Sequence, residues 1–231
     1  MNQWISSTPP PNATVARTGK ALLIREAITE QERQRIFRFR YAIYVEEMGK
    51  PMPGADHEQR LLQDELDARS TQLYVERTDE IAGAVRITWG RDGLPPAYVG
   101  WYGLDRFRVF PPAAISFTGR MMVAGKHRNG PLAASLAREA YRRGLEHGVA
   151  FDFIHTTPPL IPLFERLGHR RYHGDFIDPD LGPRTPMVLV LEDLEHLEKT
   201  KSPFISTAAQ WQKRPAPAEW FHREFPKGQA R

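Results

Sequence analysis

The stretch from Gly148 to Tyr172 constrains the fold more than any other part of the chain. Gly148-Val149-Ala150-Phe151-Asp152-Phe153-Ile154-His155 is a short, nearly unbroken apolar run, the pattern of a strand buried on both faces. Leu160, Leu163, Phe164 and Leu167 then recur at helical spacing. Gly168 supplies the left-handed residue that ends such a helix, and His169-Arg170-Arg171-Tyr172 leaves it as a second extended segment. Strand, short helix, glycine stop and strand make this region α/β.

The rest of the chain divides in the same terms. Ala21 to Glu26 reads as a first strand, and Thr29-Glu30-Gln31-Glu32 is a capping-box helix start. Ile36, Phe37, Arg40, Tyr41 and Tyr44 lie down one side of the helix that follows. Lys50 to Gly54 is a loop, and Leu73–Glu76 and Ile81–Trp89 form a hairpin across Arg77-Thr78-Asp79-Glu80. Residues 89–112, broken by glycine and proline, read as a functional excursion or lid. Ile115–Val123 is the next strand, and Leu132, Leu136, Ala140 and Leu145 mark an amphipathic helix with Arg138, Arg142 and Arg143 outside. Met187–Leu191 is a last strand. The expected division is a flexible tail over 1–20, one domain over 21–201, and a proline- and aromatic-rich extension over 202–231 packed on that domain.

Composition removes whole classes of chemistry. With no cysteine, disulfides, thiolate metal sites and a cysteine nucleophile are excluded. No Gly-x-Ser-x-Gly elbow is present, which leaves direct attack by an acceptor on a bound donor as the simplest route. No metal site and no permanently bound cofactor is expected. No apolar run approaches ~18 residues, and Met1–Lys20 has no signal-peptide core, so a cytoplasmic location without membrane insertion is expected. The net charge of +4 favours acidic partners such as coenzyme A or an acidic carrier protein. Zinc-finger spacing, RNA-motif aromatics and long Lys/Arg runs are missing, which argues against nucleic acid.

The segment Leu163-Phe164-Glu165-Arg166-Leu167-Gly168-His169-Arg170-Arg171-Tyr172 resembles the last conserved motif of the GNAT acyltransferase superfamily. Upstream, Arg128, Leu132, Ala133 and Leu136 match the GNAT donor loop, with Pro131 in place of its middle glycine. Further forward the order is Arg40-Tyr41-Ala42-Ile43-Tyr44-Val45-Glu46-Glu47, Asp64-Glu65-Leu66-Asp67, Ile81 to Ile87 and Gly119-Arg120-Met121-Met122-Val123. That order resembles the acyl-homoserine-lactone synthases and, still more, the long-chain N-acyl amino acid synthases. The closing Pro186-Met187-Val188-Leu189, Glu195-His196-Leu197 and Ser202-Pro203 are similar to the tail of the latter, so the resemblance spans roughly residues 22 to 205.

The resemblance implies a single GNAT-like α/β domain, an α+β mixed sheet with helices on both faces. It also implies N-acyl transfer from a medium- or long-chain acyl thioester to a small amine, most naturally an amino acid. Met122, Val123, Lys126, Arg128, Asn129, Gly130 and Leu132 would hold the donor. Pro131 offers no N–H, which suits a donor gripped through an acyl carrier protein, with CoA as the other option. Arg40, Tyr44, Arg86, Arg120 and Phe117 would meet the substrate, arginines being suited to a carboxylate. Glu47, Asp67 and His155 are the candidates to deprotonate the attacking ammonium. Asp64 and Asp67 share one face of a helical turn and have scaffold pairing with Arg40 or Arg86 as their alternative. Backbone N–H groups near Val123, exposed by a splay of strands, would receive the oxyanion. Phe117, Met121 and Met122, beside the C-terminal aromatics, would line an acyl groove or else be core. Two departures concern acid and base: Phe117 stands where these families place a glutamate, and Phe164 where GNAT enzymes often carry a tyrosine. An acetyl-CoA-dependent acetyltransferase, an acyl-homoserine-lactone synthase using S-adenosylmethionine, and an inactive GNAT-fold binding module are the alternatives.

Overall fold

The computed structural model describes residues 22–211 and 214–226; the expected tail over 1–20 lies outside them. In chain order the elements are β1 (Ile24–Glu26), α1 (Glu30–Tyr41), β2 (Ala55–Asp56), β3 (Leu61–Leu62), β4 (Ser70–Arg77), β5 (Glu80–Trp89) and α2 (Pro96–Trp101). They continue with β6 (Ile115–Val123), α3 (Leu132–Glu146), β7 (Phe151–Thr156), α4 (Ile161–Leu167), β8 (Arg170–Arg171), β9 (Phe176–Asp178) and β10 (Gly182–Val190). Helices α5 (Leu194–Lys199), α6 (Ile205–Ala208) and α7 (Pro215–Glu224) close the chain.

Local chemistry starts several of these elements. The Thr29 hydroxyl accepts from the Glu32 N–H at 3.2 Å while the Glu32 carboxylate accepts from the Thr29 N–H at 2.9 Å, the reciprocal box expected from sequence. Past Tyr41 the helix widens into a π-helical turn over Ala42–Glu47, which the spacing did not signal and which carries Tyr44 and Glu47. Thr78 and Asp79 both take positive φ, 50° and 62°, the two-residue turn that matches the twist of a β4–β5 hairpin. Gly168 closes α4 at φ 105°; a side chain there would also strike Leu197 at 2.7 Å.

One sheet runs in the order β1-β4-β5-β6-β7-β10-β8, with β9 also on β10. All pairings are antiparallel except β6–β7, so the sheet is mixed, as expected. Helices cover both faces. On one, Leu73, Val85 and Ile87 of the sheet pack on Leu136, Ala140 and Leu145 of α3. On the other, Tyr74, Ala84 and Met122 pack on Ile36 and Phe37 of α1.

Two expectations need correction. Leu160 and Leu163 remain 47% and 40% exposed, because only the last turn of α4 reaches the sheet and buries Leu167. Residues 89–112 are no loose cover: Tyr102, Leu104, Phe107 and Phe110 are buried against Phe151 and Phe153 on the α1 side. The C-terminal extension does pack on the domain and divides between faces. Phe204 stacks on Tyr141 of α3 with centroids 4.5 Å apart, whereas Phe221 of α7 joins the opposite cluster.

Candidate active site

A bulge and a splay in the middle of the sheet build the site. β5 and β6 pair from Trp89↔Ser116 to Arg86↔Gly119 and resume at Ala84↔Met122, so β6 carries one extra residue at Arg120-Met121. Arg120 takes φ +50° there. A bulge re-aims the side chains that follow it. Thr118 faces α3, and regular alternation would send Arg120 the same way, into an apolar layer. The extra residue instead turns Arg120 to the α1 face and gives the α3 side to Met121. Next to this bulge, β6 and β7 pair only from Ile115↔Phe151 to Phe117↔Phe153, although the two strands continue to Val123 and Thr156. The Ala124 N–H donates to the Ala82 carbonyl at 2.9 Å, so the alternation of a strand turns the Val123 N–H the other way, into the splay.

On the α1 face the polar groups form one buried ion network. Arg40, with no exposed surface, forks onto Asp67 at 2.6 and 3.0 Å. Arg86 bridges Asp64 at 2.5 Å and Asp67 at 3.0 Å, and Gln72 donates to Asp67 at 2.7 Å. Burial alone would raise the Asp67 carboxyl, but the Arg40 hydrogen bond and charge, followed by Arg86, hold it well below the ordinary range. Arg120 closes the chain of charges on Asp64 at 2.9 Å. Its other terminal nitrogen, Nη1, is buried without a partner among the described residues. The Tyr44 ring lies between two cations, Arg120 at 5.4 Å and Lys50 at 5.7 Å. Lys50 is pushed down by burial, then by the Arg184 and Arg120 charges, against the pull of Asp178. Neither Lys50 nor Arg184 has an ion-pair partner among the described residues.

Beside this network, at the end of β7, stands His155. Its Nδ1 lies 2.7 Å from the Tyr102 hydroxyl, and Tyr102 and Phe176 flank its ring. Burial lowers His155 to about 4; Arg184, Arg120 and Arg86 push the same way and Asp178 opposes them. At neutral pH the ring is uncharged and one nitrogen is left for a ligand. Tyr102, completely buried, is raised well above the ordinary phenol range and stays protonated.

On the α3 side the splay opens onto a small cavity of about 30 Å³. Its walls are apolar, from Met121, Ala140, Tyr141, Phe164 and Leu189, apart from one polar group of Ser116, Thr118, Asp152 and His169. The loop between β6 and α3 is fixed by Arg128. Arg128 Nε donates to the Val123 carbonyl at 2.9 Å, and its guanidinium pairs with Glu47 of the π turn. Asn129 takes φ +64°, and the first turn of α3 points unsatisfied N–H groups outward beyond Pro131, its N-cap.

Residues 39–138 match the Acetyltransferase (GNAT) domain family. The matched segment holds the bulge of β6 and the loop that follows it, and supports an acyltransferase. No curated protein sequence matches significantly. Among solved structures, FeeM, an N-acyl amino acid synthase from uncultured soil microbes, is 16% identical with a TM-score of 0.59, over 80% of this chain and 97% of that one. The CoA-dependent acyl-homoserine lactone synthase BjaI, with MTA, is 16% identical with a TM-score of 0.58, over 84% and 92% of the chains. The same protein with SAM and isopentyl-CoA gives 16% and 0.56, over 85% and 96%. At such identities the likeness is one of fold.

The GNAT domain brings some of the sequence candidates together and sets others apart. His155, Arg86, Arg120 and Tyr44 converge on the α1 side of the splay. Asp67 does not fit the base role expected of it: its oxygens are taken by Arg40, Arg86 and Gln72, leaving none for a substrate ammonium. Arg40 is buried completely and holds Asp67 rather than a substrate. Glu47 is exposed and pairs with Arg128 of the loop after β6. Phe117 and Met122 are core, at 4% exposure each, in the Tyr102 and α1 clusters respectively; Met121 lines the cavity instead. Leu132 is core under α3, while Val123, Lys126, Arg128, Asn129 and Gly130 stand at the loop, with Lys126 paired to Glu80. Lys50, Arg184, Tyr102, Asp152 and His169 were not singled out from sequence. Only His169 had a signal there, a polar residue directly after the glycine stop of a buried motif.

Proposed function

We propose that this GNAT domain transfers a medium or long fatty acyl group from a thioester, on an acyl carrier protein or CoA, to the amine of an amino acid. Attack is direct, in a ternary complex. The observation that carries this reading is Arg120, turned by the bulge to the edge of the splay with Nη1 buried and unpartnered, beside Lys50 and Arg184. Such an excess of cation suits a carboxylate, and a carboxylate there sets its neighbouring amine at the strand gap. His155, neutral and within the field of Arg120 and Arg184, takes the ammonium proton. The Val123 N–H receives the carbonyl oxygen as it becomes an oxyanion. Lys126, Arg128, Asn129, Gly130 and the start of α3 meet the donor's phosphate, and with Pro131 withholding one N–H a carrier-protein surface supplies the rest of the grip. The neighbours in fold that are called N-acyl amino acid and CoA-dependent acyl-homoserine lactone synthases support the choice of reaction. Thioester supply also favours a cytoplasmic setting; among the described residues no helix is long and apolar enough to cross a membrane.

Thiol release from short- to long-chain acyl carrier protein and acyl-CoA donors, against a panel of amines with products weighed by mass spectrometry, tests the proposal. The chain has no cysteine to add background to a thiol reagent. Release with long donors and an N-acyl amino acid product is expected. Acetyl-CoA as the sole donor, a homoserine-lactone product from S-adenosylmethionine, or carrier-protein binding without turnover would each overturn it.

A further inference from the structure

His169 is buried at 5% exposure, yet among the described residues neither Nδ1 nor Nε2 has a hydrogen-bond partner. Leaving both nitrogens of an interior imidazole unsatisfied is costly, and such groups call for an explanation. The ring lines the cavity beneath the splay, with its Nε2 3.9 Å from Asp152 Oδ2 and with Phe164 edge-on at 5.5 Å. Asp152 stands opposite Ser116, one pair before β6 and β7 part. Its Oδ1 is satisfied by Ser116 Oγ at 2.6 Å and Thr118 Oγ1 at 2.9 Å. Hydroxyls therefore fix the carboxylate so that its second oxygen faces the imidazole, and among the described residues no arginine pairs with it. Among the described residues the other titratable group lining the cavity is Tyr141, whose hydroxyl donates to the Leu191 carbonyl. This aspartate–histidine pair lies on the opposite side of the sheet from His155.

Thioester aminolysis needs two proton transfers. The amine nitrogen loses a proton as the C–N bond forms, and the sulfur that leaves with the C–S electron pair must gain one. We propose that His169, oriented and charge-balanced by Asp152, is the acid that protonates the departing thiolate, while His155 accepts the amine proton across the sheet. This assignment rests on the acyl-transfer reading above. With the ammonium's first proton already passed through His155 to solvent, the acyl carbon gains nitrogen and loses sulfur, His155 takes the nitrogen's second proton and His169 gives one to sulfur, and solvent resets both rings. Phe164 and the apolar walls keep water away from the sulfur until the histidine delivers the proton.

The test varies the leaving group. Wild type, His169→Phe and His169→Gln are assayed for thiol release from decanoyl-CoA and from the S-phenyl thioester of decanoate, with mixed amino acids as acceptor. An alkyl thiolate needs the proton and an aryl thiolate does not. Both variants are expected to lose about 10²–10³-fold with decanoyl-CoA and to stay within a few-fold of wild type with the phenyl thioester. Asp152→Asn should show the same selectivity, more weakly. Equal losses with both donors would overturn the proposal and make His169 a packing residue. Full activity of His169→Phe on decanoyl-CoA would also overturn it. Failure of the acyl-transfer reading itself would look different, with wild type silent on both donors.

Discussion

The two faces of the sheet at the splay handle buried polarity in opposite ways. On the α1 side, Arg40, Asp67, Arg86, Asp64 and Arg120 form a chain in which nearly every charge has an opposite partner at 2.5–3.0 Å. On the α3 side, one carboxylate is held by two hydroxyls and one imidazole has no partner, in a wall of apolar side chains. The first arrangement is a rigid floor in which, among the described residues, two nitrogens lack a partner, Arg40 Nε in the fully buried interior and Arg120 Nη1 at the splay, and it suits holding a charged acceptor still. The second is left incomplete, and suits a donor that changes its protonation during reaction. Charge density alone therefore does not distinguish the two faces; what does is which of their polar atoms have partners.

Substitutions that treat the two carboxylates alike should separate these roles. Asp67→Ala strands Arg40 and Arg86 in the interior and should cost about 3–5 kcal/mol in urea unfolding. Asp152→Asn, which loses a charge held only by hydroxyls, should cost about 1–2 kcal/mol. Equal costs would mean that the two faces do not differ as described.

His155 sharpens the comparison through pH. The unfolded ring binds its proton near 6.5 and the folded one only near 4, so between these values the unfolded chain holds more protons. Stability is then complete above 6.5 and falls as pH drops toward 4, by about 3 kcal/mol from this group. His155→Gln should remove that share of the acid slope, while His196, also lowered to about 4, keeps its own. The same variant should lose at least about 10²-fold in acyl transfer. An unchanged slope would show that His155 is not buried as a neutral ring.

The smallest effect belongs to Glu47. Its pairing with Arg128 is exposed, and Glu47→Gln should change stability by less than about 1 kcal/mol while weakening the donor a few-fold. A loss as large as that of His155→Gln would return Glu47 to the role of base.

Much of this architecture is legible in the sequence where a local rule decides it. The Thr29–Glu32 box, the Thr78-Asp79 turn, the Gly168 stop and the strand Ile115–Val123 each follow from nearest-neighbour chemistry. The site is less legible because it depends on a bulge. Alternation read through Gly119-Arg120-Met121-Met122 would assign every residue after the bulge to the wrong face, and Met122, which the resemblance put at the donor, is core on the α1 side. Asp67 was open to two readings, and only the arrival of Gln72 and Arg86 from β4 and β5 closes one. Lys50 and Arg184 meet across 134 positions of sequence, beyond any local pattern.

The central claim is that the bulge-turned Arg120 reads the acceptor's carboxylate. The most direct measurement is kcat/KM for an amino acid against its own decarboxylated amine, with tyrosine and tyramine as the pair, in wild type and Arg120→Ala. The account predicts that wild type favours tyrosine by about 10²-fold, the worth of a charge-assisted contact, and that Arg120→Ala collapses the ratio toward unity. Equal rates for both amines in wild type, or a ratio that survives Arg120→Ala, would contradict it.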